Sequence, residues 1–278
     1  MNPTSEEARR IVRDQLGLSL SQFKQLAALA VLVVDWNDKI NLVSRKDCTP
    51  DVVFGRHILP SLAACQTGII QDKTQIVDVG TGGGFPGLPL AIAYPDCEFL
   101  LVDSVGKKLT AVQDMADQLG LNNVQTHHGR AELLQSQKYD LCVGRSVAAI
   151  PTYCFWIHKL LKKGSGKLLY MIGGDIDDKV LLQAEMDRNI DDLLQCPGAS
   201  DKRVLVFPQA AVATIAAASG EKIRVQDPNT VRRKNGIKNN NNSNSKPVKG
   251  EWKKRDRTAP KPRGYENFKR FDSLSPVQ

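Results

Sequence analysis

The sequence predicts an α/β protein built on a doubly wound, mostly parallel sheet, and three observations predict it. Short apolar strands alternate with helical segments from residue 75 to residue 172, the signature of parallel strands joined by right-handed crossovers. A glycine cluster at 80–87 follows the first strand and precedes a helix, where open α/β sheets bind their ligands. The second strand ends in a carboxylate, Asp103. The 278 residues suffice for one or two domains, and a composition of 41% hydrophobic and 24% charged residues excludes a wholly disordered, collagenous or membrane chain. No apolar run reaches the ~18 residues of a membrane helix; the stretch from Ala210 to Ala218 is mostly alanine.

Thr4 and Glu7 have the spacing of a capping box, and Ile11, Val12 and Leu16 fall on one face of the helix that follows. Phe23, Leu26, Leu29, Ala30 and Val33 recur at helical spacing and predict a second amphipathic helix. It leads into Trp36–Leu42 and a short segment around Arg56-His57-Ile58. Strands are predicted at 75–79, 98–102, 124–127, 139–144, 167–172 and 203–207. Helices are predicted at 88–93, 107–119 (closed by Gly120), 154–161 and 179–194. The chain divides into an N-terminal helical segment (1–70), a ligand-binding domain (71–220) and a tail (221–278). The tail contains the tract Asn239–Ser245, which cannot build a core, and is expected to be disordered.

The formal net charge of +8 is unevenly spread: residues 1–220 hold 22 Lys+Arg and 24 Asp+Glu, residues 221–278 hold 16 and 6. A near-neutral body with a cationic arm points to a polyanionic partner, most often nucleic acid; a solvated arm without a partner is the plainer reading. The six cysteines form no CxxC pair, so they read as reduced core thiols and not as metal ligands. Met1–Arg13 lacks the apolar block of a signal peptide, and a reducing, soluble compartment is expected.

The loop Asp78-Val79-Gly80-Thr81-Gly82-Gly83-Gly84 leaves the cofactor open, because it fits the Asp-x-Gly-x-Gly-x-Gly pattern of S-adenosylmethionine sites, while Gly82, Gly84 and Gly87 fit Gly-x-Gly-x-x-Gly of NAD sites. A structural glycine turn is the third reading. Asp103 accepts ribose hydroxyls in either cofactor. Two features favour S-adenosylmethionine. Asp78 stands at the strand end, where a carboxylate attracts a sulfonium or amino group. Pro86 and Pro89 remove N–H donors from the helix start that a pyrophosphate needs. The late start of the alternation, after some 70 helical residues, points the same way.

The residues then match a known family. The chain resembles the RsmG (GidB) family, guanine-N7 methyltransferases of small-subunit ribosomal RNA, over roughly residues 22–207. The resemblance rests on Asp78–Leu90 with its Phe85-Pro86-Gly87-Leu88-Pro89 continuation, on Trp36–Leu42, and on Arg56-His57-Ile58. Leu101–Ser104 with Lys107-Lys108, Leu119–Val124, Gly129–Glu132 and Gly144–Ala148 add to it. It implies a class I methyltransferase fold, S-adenosylmethionine as cofactor, and small-subunit rRNA or the small ribosomal subunit as partner. A monomer without metal or membrane attachment is expected, in a bacterial cytoplasm, or in a chloroplast or other organelle if the source is eukaryotic.

The resemblance implies cofactor contacts at Gly80, Phe85, Ala131, Glu132 and Arg145, which join Asp78, Gly82, Gly84 and Asp103 from the loop and strand-end reading. It implies catalytic or RNA-facing roles for Arg145, Arg130, His57, Asn41 and Arg56. Guanine N7 carries a lone pair and attacks without a general base, so catalysis rests on alignment and electrostatics. Two departures stand out. Pro60 occupies a position the family usually gives to an acid, and the fifth predicted strand ends Met171-Ile172-Gly173-Gly174 without the usual lysine. A non-catalytic or altered-specificity ribosome-assembly factor that retains the fold is therefore the alternative, and an NAD-dependent oxidoreductase a more distant one. Trp36 reads as core, His127 and His128 as structural or exposed, and Lys107 and Lys108 as helix-start cations suited to an anionic partner or to a solvated face.

Overall fold

The computed structural model describes residues 5–46, 48–134, 138–198 and 200–222, so Thr4 and all but the first two residues of the basic tail lie outside the described residues. Helix α1 (Ser5–Arg10) continues into a π turn, Ile11–Gln15, that buries Ile11 and Val12. Helix α2 (Leu20–Asn37) starts at a reciprocal cap. The Gln22 amide donates to Ser19 Oγ at 3.2 Å, and Ser19 N donates to Gln22 Oε1 at 2.9 Å. Its apolar stripe, Phe23 to Val33, is buried as its spacing predicts. Helix α3 (Pro50–Val53), a π turn at Phe54–Ile58 and α4 (Leu59–Leu62) follow almost without a break.

Alternation then takes over. In chain order come β1 (Gln75–Val79), α5 (Gly87–Ala93), β2 (Glu98–Asp103), α6 (Gly106–Gln118) and β3 (Val124–His128). After them come β4 (Leu141–Arg145), α7 (Ile150–Ile157), β5 (Lys167–Ile172), α8 (Asp178–Leu181) and β6 (Met186–Asn189). Helix α9 (Ile190–Leu194), β7 (Arg203–Pro208) and α10 (Gln209–Ala218) complete the described chain. The sheet order is β3-β2-β1-β4-β5-β7-β6. Strands β1 to β5 pair in parallel, whereas β7 runs antiparallel to both β5 and β6. Dinucleotide domains use six parallel strands in the order 3-2-1-4-5-6; the reversed strand wedged between the last two positions sets this class I methyltransferase sheet apart.

Strand residues alternate between two cores. Ile76, Leu101, Leu141, Leu169 and Val206 face the N-terminal helices, α5 and α6. Val77, Val102, Cys142, Tyr170 and Leu205 face α7 and α10. The N-terminal helices therefore share a core with the sheet.

The single helix predicted over 179–194 is corrected. The chain forms a short helix, the edge strand β6, and a second short helix. Pairing decides it: Met186–Asn189 hydrogen-bond to β7, and Arg203 closes an ion pair with Asp187. Polar residues such as Asp187 and Arg188 suit an exposed sheet edge, and this tertiary pairing overrides local helix propensity. Ile190 and Leu194, spaced four apart, keep the helical half of the reading and are fully buried. Other boundaries move by a few residues: the fourth strand starts at Leu141 and ends at Arg145, and α7 starts at Ile150. Gly120 takes φ +69° just after the α6 C-cap, as predicted. The alanine-rich stretch forms α10, which buries Val212, Ile215 and Ala216. Beyond it Thr152 Oγ1 donates to Glu221 Oε1 at 3.0 Å, so the chain returns beside the start of α7. All six cysteines are free thiols, four of them buried.

Tyr153 on α7 ties the strands together where the site forms. Its hydroxyl lies 2.8 Å from Val143 O and 3.0 Å from Val79 O, bridging β4 and β1. It passes so close to Gly144 that any Cβ there would collide with it. Tyr153→Phe removes the donor and is expected to cost about 1–2 kcal/mol. Gly144→Ala is expected to cost more alone than in the Tyr153→Phe background, because the nearest colliding atom is then gone, although the ring carbon Cζ at 2.6 Å still crowds the new methyl. Urea denaturation of the two single variants and the double variant measures the coupling; strict additivity would refute the contact.

Candidate functional site

The carboxyl ends of β1, β2 and β4 open into a cleft of about 420 Å³. Its floor is the glycine loop. Gly80 and Thr81 donate their amides to Val102 O at 2.8 and 3.1 Å, which pins the loop against β2. Gly80 (φ +74°) lies against the Val147 side chain with no room for a Cβ. Gly82 (φ +56°) differs: it lines the cleft, and a Cβ there would meet nothing nearer than Gly80 O at 3.9 Å. Asp78 braces the loop from beneath. Its Oδ2 accepts from Thr81 Oγ1 at 2.7 Å and from the Gly87 amide at 2.9 Å, while Oδ1 is buried without a hydrogen-bond partner. Burial pushes the Asp78 carboxyl up to about 7, against the pull of those two hydrogen bonds.

Asp103 occupies the next strand end and lines the cleft. Its Oδ2 accepts from the Gly82 amide at 2.9 Å and its Oδ1 from Val105 N at 2.8 Å, so the loop and the start of α6 fix the carboxylate in place. Opposite it, the short turn Ala131–Leu133 presents Ala131 and Glu132, and Arg130 pairs with Glu132 at 3.4 Å. Lys108, in the first turn of α6, also lines the cleft, whereas Lys107 is exposed.

The far wall joins the sheet to the N-terminal segment. Arg145, the last residue of β4, donates from Nη1 to His57 O at 2.9 Å and to Ser61 Oγ at 3.3 Å. Its Nη2 lies 2.6 Å from His57 Nδ1. The guanidinium carries no acceptor, so Nδ1 must accept and the imidazole proton sits on Nε2. Burial, then the charges of Arg145, Arg56 and Lys202, lower the His57 pKa to about 3, which leaves the ring neutral. Phe85 completes the stack, its ring centroid 5.4 Å from His57 and 5.7 Å from the Arg145 guanidinium carbon. Burial also lowers Arg145 to about 10, partly offset by the Asp78 charge.

The structure brings His57, Gly80, Gly82, Phe85, Asp103, Arg130, Ala131, Glu132 and Arg145 together on the cleft lining. Asp78 and Gly84 sit behind it, and Asn41 and Arg56 are exposed beside it. Sequence reasoning missed Leu42 and Val43, which form the lid. The signal was Asn37: its buried Oδ1 accepts from the amides of Leu42 (2.8 Å) and Val43 (3.0 Å) and turns the chain over Gly83. Trp36 packs against the core and donates to Asp114 Oδ2 at 2.8 Å. Also missed were Ser146, a non-glycine at φ +50°, and Val147, whose amide donates to Tyr170 Oη at 2.9 Å. Trp156, on α7, also reaches the lining.

The clamp makes a pH prediction. Below its ordinary value of 6.5 an unfolded His57 takes up a proton that the native ring refuses until about 3. Its contribution therefore lowers stability as pH falls through that window. His57→Gln is expected to flatten the stability profile between pH 6.5 and 4, measured by urea denaturation at several pH values; an unchanged slope would refute the buried neutral ring.

The family model described as GidB, rRNA small subunit methyltransferase G, matches residues 22–195. A ribosomal RNA small subunit methyltransferase G of Chlorobium phaeobacteroides is 41% identical over 168 residues, covering 60% of this chain and 74% of the relative. The protein of the same name from Christiangramia forsetii is 42% identical over 168 residues (59% and 78%), and that from Cytophaga hutchinsonii 40% over 168 residues (59% and 80%). A braced glycine loop, a fixed carboxylate at the second strand end and matches of this extent lead to one conclusion: the chain belongs to the GidB family, the ribosomal RNA small subunit methyltransferase G proteins.

Proposed function

We propose that this protein transfers the methyl group of S-adenosylmethionine to N7 of a guanine in small-subunit ribosomal RNA. The cleft fits the cofactor: Gly82 on the lining with room for a close approach, the Asp103 carboxylate beside it, and an unpartnered oxygen of Asp78 beneath the loop. When bound, the cofactor supplies an electrophilic methyl group on a positively charged sulfur. Asp103 accepts from ribose hydroxyls, the backbone of Gly80, Gly82 and Gly84 lets the cofactor approach closely, and Ala131 and Glu132 wall its far side. Phe85 and Arg145, also on the lining, would orient the base toward the methyl group.

The observation that carries the N7 reading is the state of His57. Its basic nitrogen is occupied by Arg145, and its other nitrogen carries a proton. Asp103 is held by two backbone amides, and Glu132 is paired with Arg130. Asp78, whose carboxyl burial raises to about 7, lies behind the lining and out of reach of a substrate, so the cleft surface offers no free base among the described residues, and N7 asks for none. His57 and Arg145 then act as fixed donors that orient the base, a role for preorganised electrostatics. Arg130 and the exposed pair Asn41 and Arg56 face incoming RNA.

In this reading residues 1–70 form the helical lid segment, 71–220 the cofactor domain and 221–278 an RNA-binding arm. The protein acts as a monomer without metal, in a bacterial cytoplasm or, in a eukaryote, in an organelle such as a chloroplast. Among the described residues no helix is long and apolar enough to cross a membrane.

The deciding experiment is incubation with labelled S-adenosylmethionine and small ribosomal subunits, followed by chemical cleavage at 7-methylguanine. Label incorporated at another atom, or none, would overturn the N7 assignment. By calorimetry Asp103→Ala is expected to weaken cofactor binding by about 1.5–3 kcal/mol, the worth of charged hydrogen bonds. Gly82→Val, which places a branched side chain in the cleft at a left-handed φ, is expected to abolish binding. Removing residues 223–278 is expected to flatten the slope of log K for RNA against log salt by about three to four units, if four or five cations engage phosphates at 0.7–0.9 each. Cofactor affinity stays unchanged, and identical slopes would show that the tail takes no part.

A further inference from the structure

Strands β5 and β7 end their antiparallel pairing at the carboxyl edge with Ile172 opposite Arg203. The next residue on each chain, Gly173 and Lys202, extends past that last pair. Strand side chains alternate, so Lys202 shares the face of Val204 and Val206. That face also carries Val143, Leu169 and Met171 and meets the N-terminal helices. Arg145, two residues beyond Val143, points the same way. Gly173 offers no side chain to separate them. Lys202 Cγ and Nζ lie 3.5 and 3.8 Å from where a Cβ on Gly173 would stand, so the lysine lies across the end of β5, on the side of Arg145.

The charge distribution gives this placement a meaning. The charges that reach His57 are those of Arg145, Arg56 and Lys202, all of them cations. Lys202 itself is half-buried, its side chain 27% exposed, and its carboxylate neighbour Asp201 stands 3.4 Å away at 87% exposure. A pair with so exposed an acid is screened by solvent and neutralises little. Around His57 the acting charges are therefore all positive, and a polyanion is drawn toward that wall.

We propose that Lys202 is an RNA-positioning residue: its ammonium group holds a backbone phosphate of the substrate strand at the rim of the cleft, beside His57. The proposal rests on the reading of this protein as an rRNA methyltransferase. It adds a contact from the reversed strand, outside the cofactor-binding loops, and it makes the β5–β7 edge part of the RNA path.

The test uses the full chain with a small-subunit rRNA fragment, measuring RNA affinity at several salt concentrations, cofactor affinity by calorimetry, thermal stability, and methylation KM and kcat. Lys202→Gln is expected to weaken RNA binding about three- to tenfold at moderate salt and to reduce the salt slope by about 0.7–0.9, one phosphate contact. KM for RNA rises, while kcat and cofactor affinity hold. Lys202→Arg restores the slope. Lys163→Gln removes an equal charge from the loop before β5, at the opposite edge of the sheet, and leaves RNA affinity unchanged. A parental slope in Lys202→Gln overturns the proposal, with or without a drop in melting temperature, and so does an equal loss in Lys163→Gln. A parent chain that binds RNA yet forms no 7-methylguanine would overturn the enzymatic reading, whereas the slope comparison would still decide the phosphate contact.

Discussion

The site depends on the clamp between Arg145 and the π turn that carries His57. One guanidinium reaches a backbone carbonyl, a serine hydroxyl and an imidazole nitrogen, and so joins the end of β4 to a segment 84–88 residues earlier in the chain. A planar fork of donors does this where a lysine ammonium would not, because the three acceptors lie in fixed directions. The same contact sets the His57 tautomer and seats Phe85 against both groups. Without it the lid segment would be tied to the sheet by apolar packing alone at this point, and apolar packing does not fix the direction of a hydrogen-bond donor.

Two buried ionisable groups share this corner, and they perturb each other in opposite senses. Burial raises Asp78 and lowers Arg145, and the attraction between their charges opposes both shifts. The neutral form of Asp78 gains on burial, so its share of stability is present below its ordinary value of 3.8 and fades as pH rises through about 7. Near neutrality the loop brace thus stands close to its own titration point. A cation brought near the loop favours the charged carboxylate, which links cofactor charge to the electrostatics of the floor.

Much of this was legible in the sequence. The alternation from 75 to 172, the glycine loop and the carboxylate of Asp103 each follow from local pattern, because strand period and turn chemistry are local properties. What escaped depends on partners distant in sequence. Met186–Asn189 is a strand because β7 lies beside it, and nothing within 179–194 reports that. Asn37 belongs to the Trp36–Leu42 motif, but only the fold shows its carboxamide holding the Leu42 and Val43 amides. Trp156 sits among core residues of α7, and only the packing of that helix turns its ring to the cleft. The lysine absent before Gly173 is a further case: the neighbouring strand brings Lys202 to the side of that glycine, a substitution in space that a linear pattern hides.

The reversal of β7 also decides where the polypeptide leaves the domain. A strand that enters at the carboxyl edge exits at the amino edge, and α10 then carries the chain back across the sheet to Thr152 and Glu221. The tether point of the 16 cations beyond residue 220 is therefore on the same rim as the cleft. Had β7 run parallel, the arm would hang from the opposite end, a full strand length away. If the cations that follow this point engage RNA, as proposed above, they do so from the rim where the reacting groups stand, and the bound strand is held at a high local concentration there.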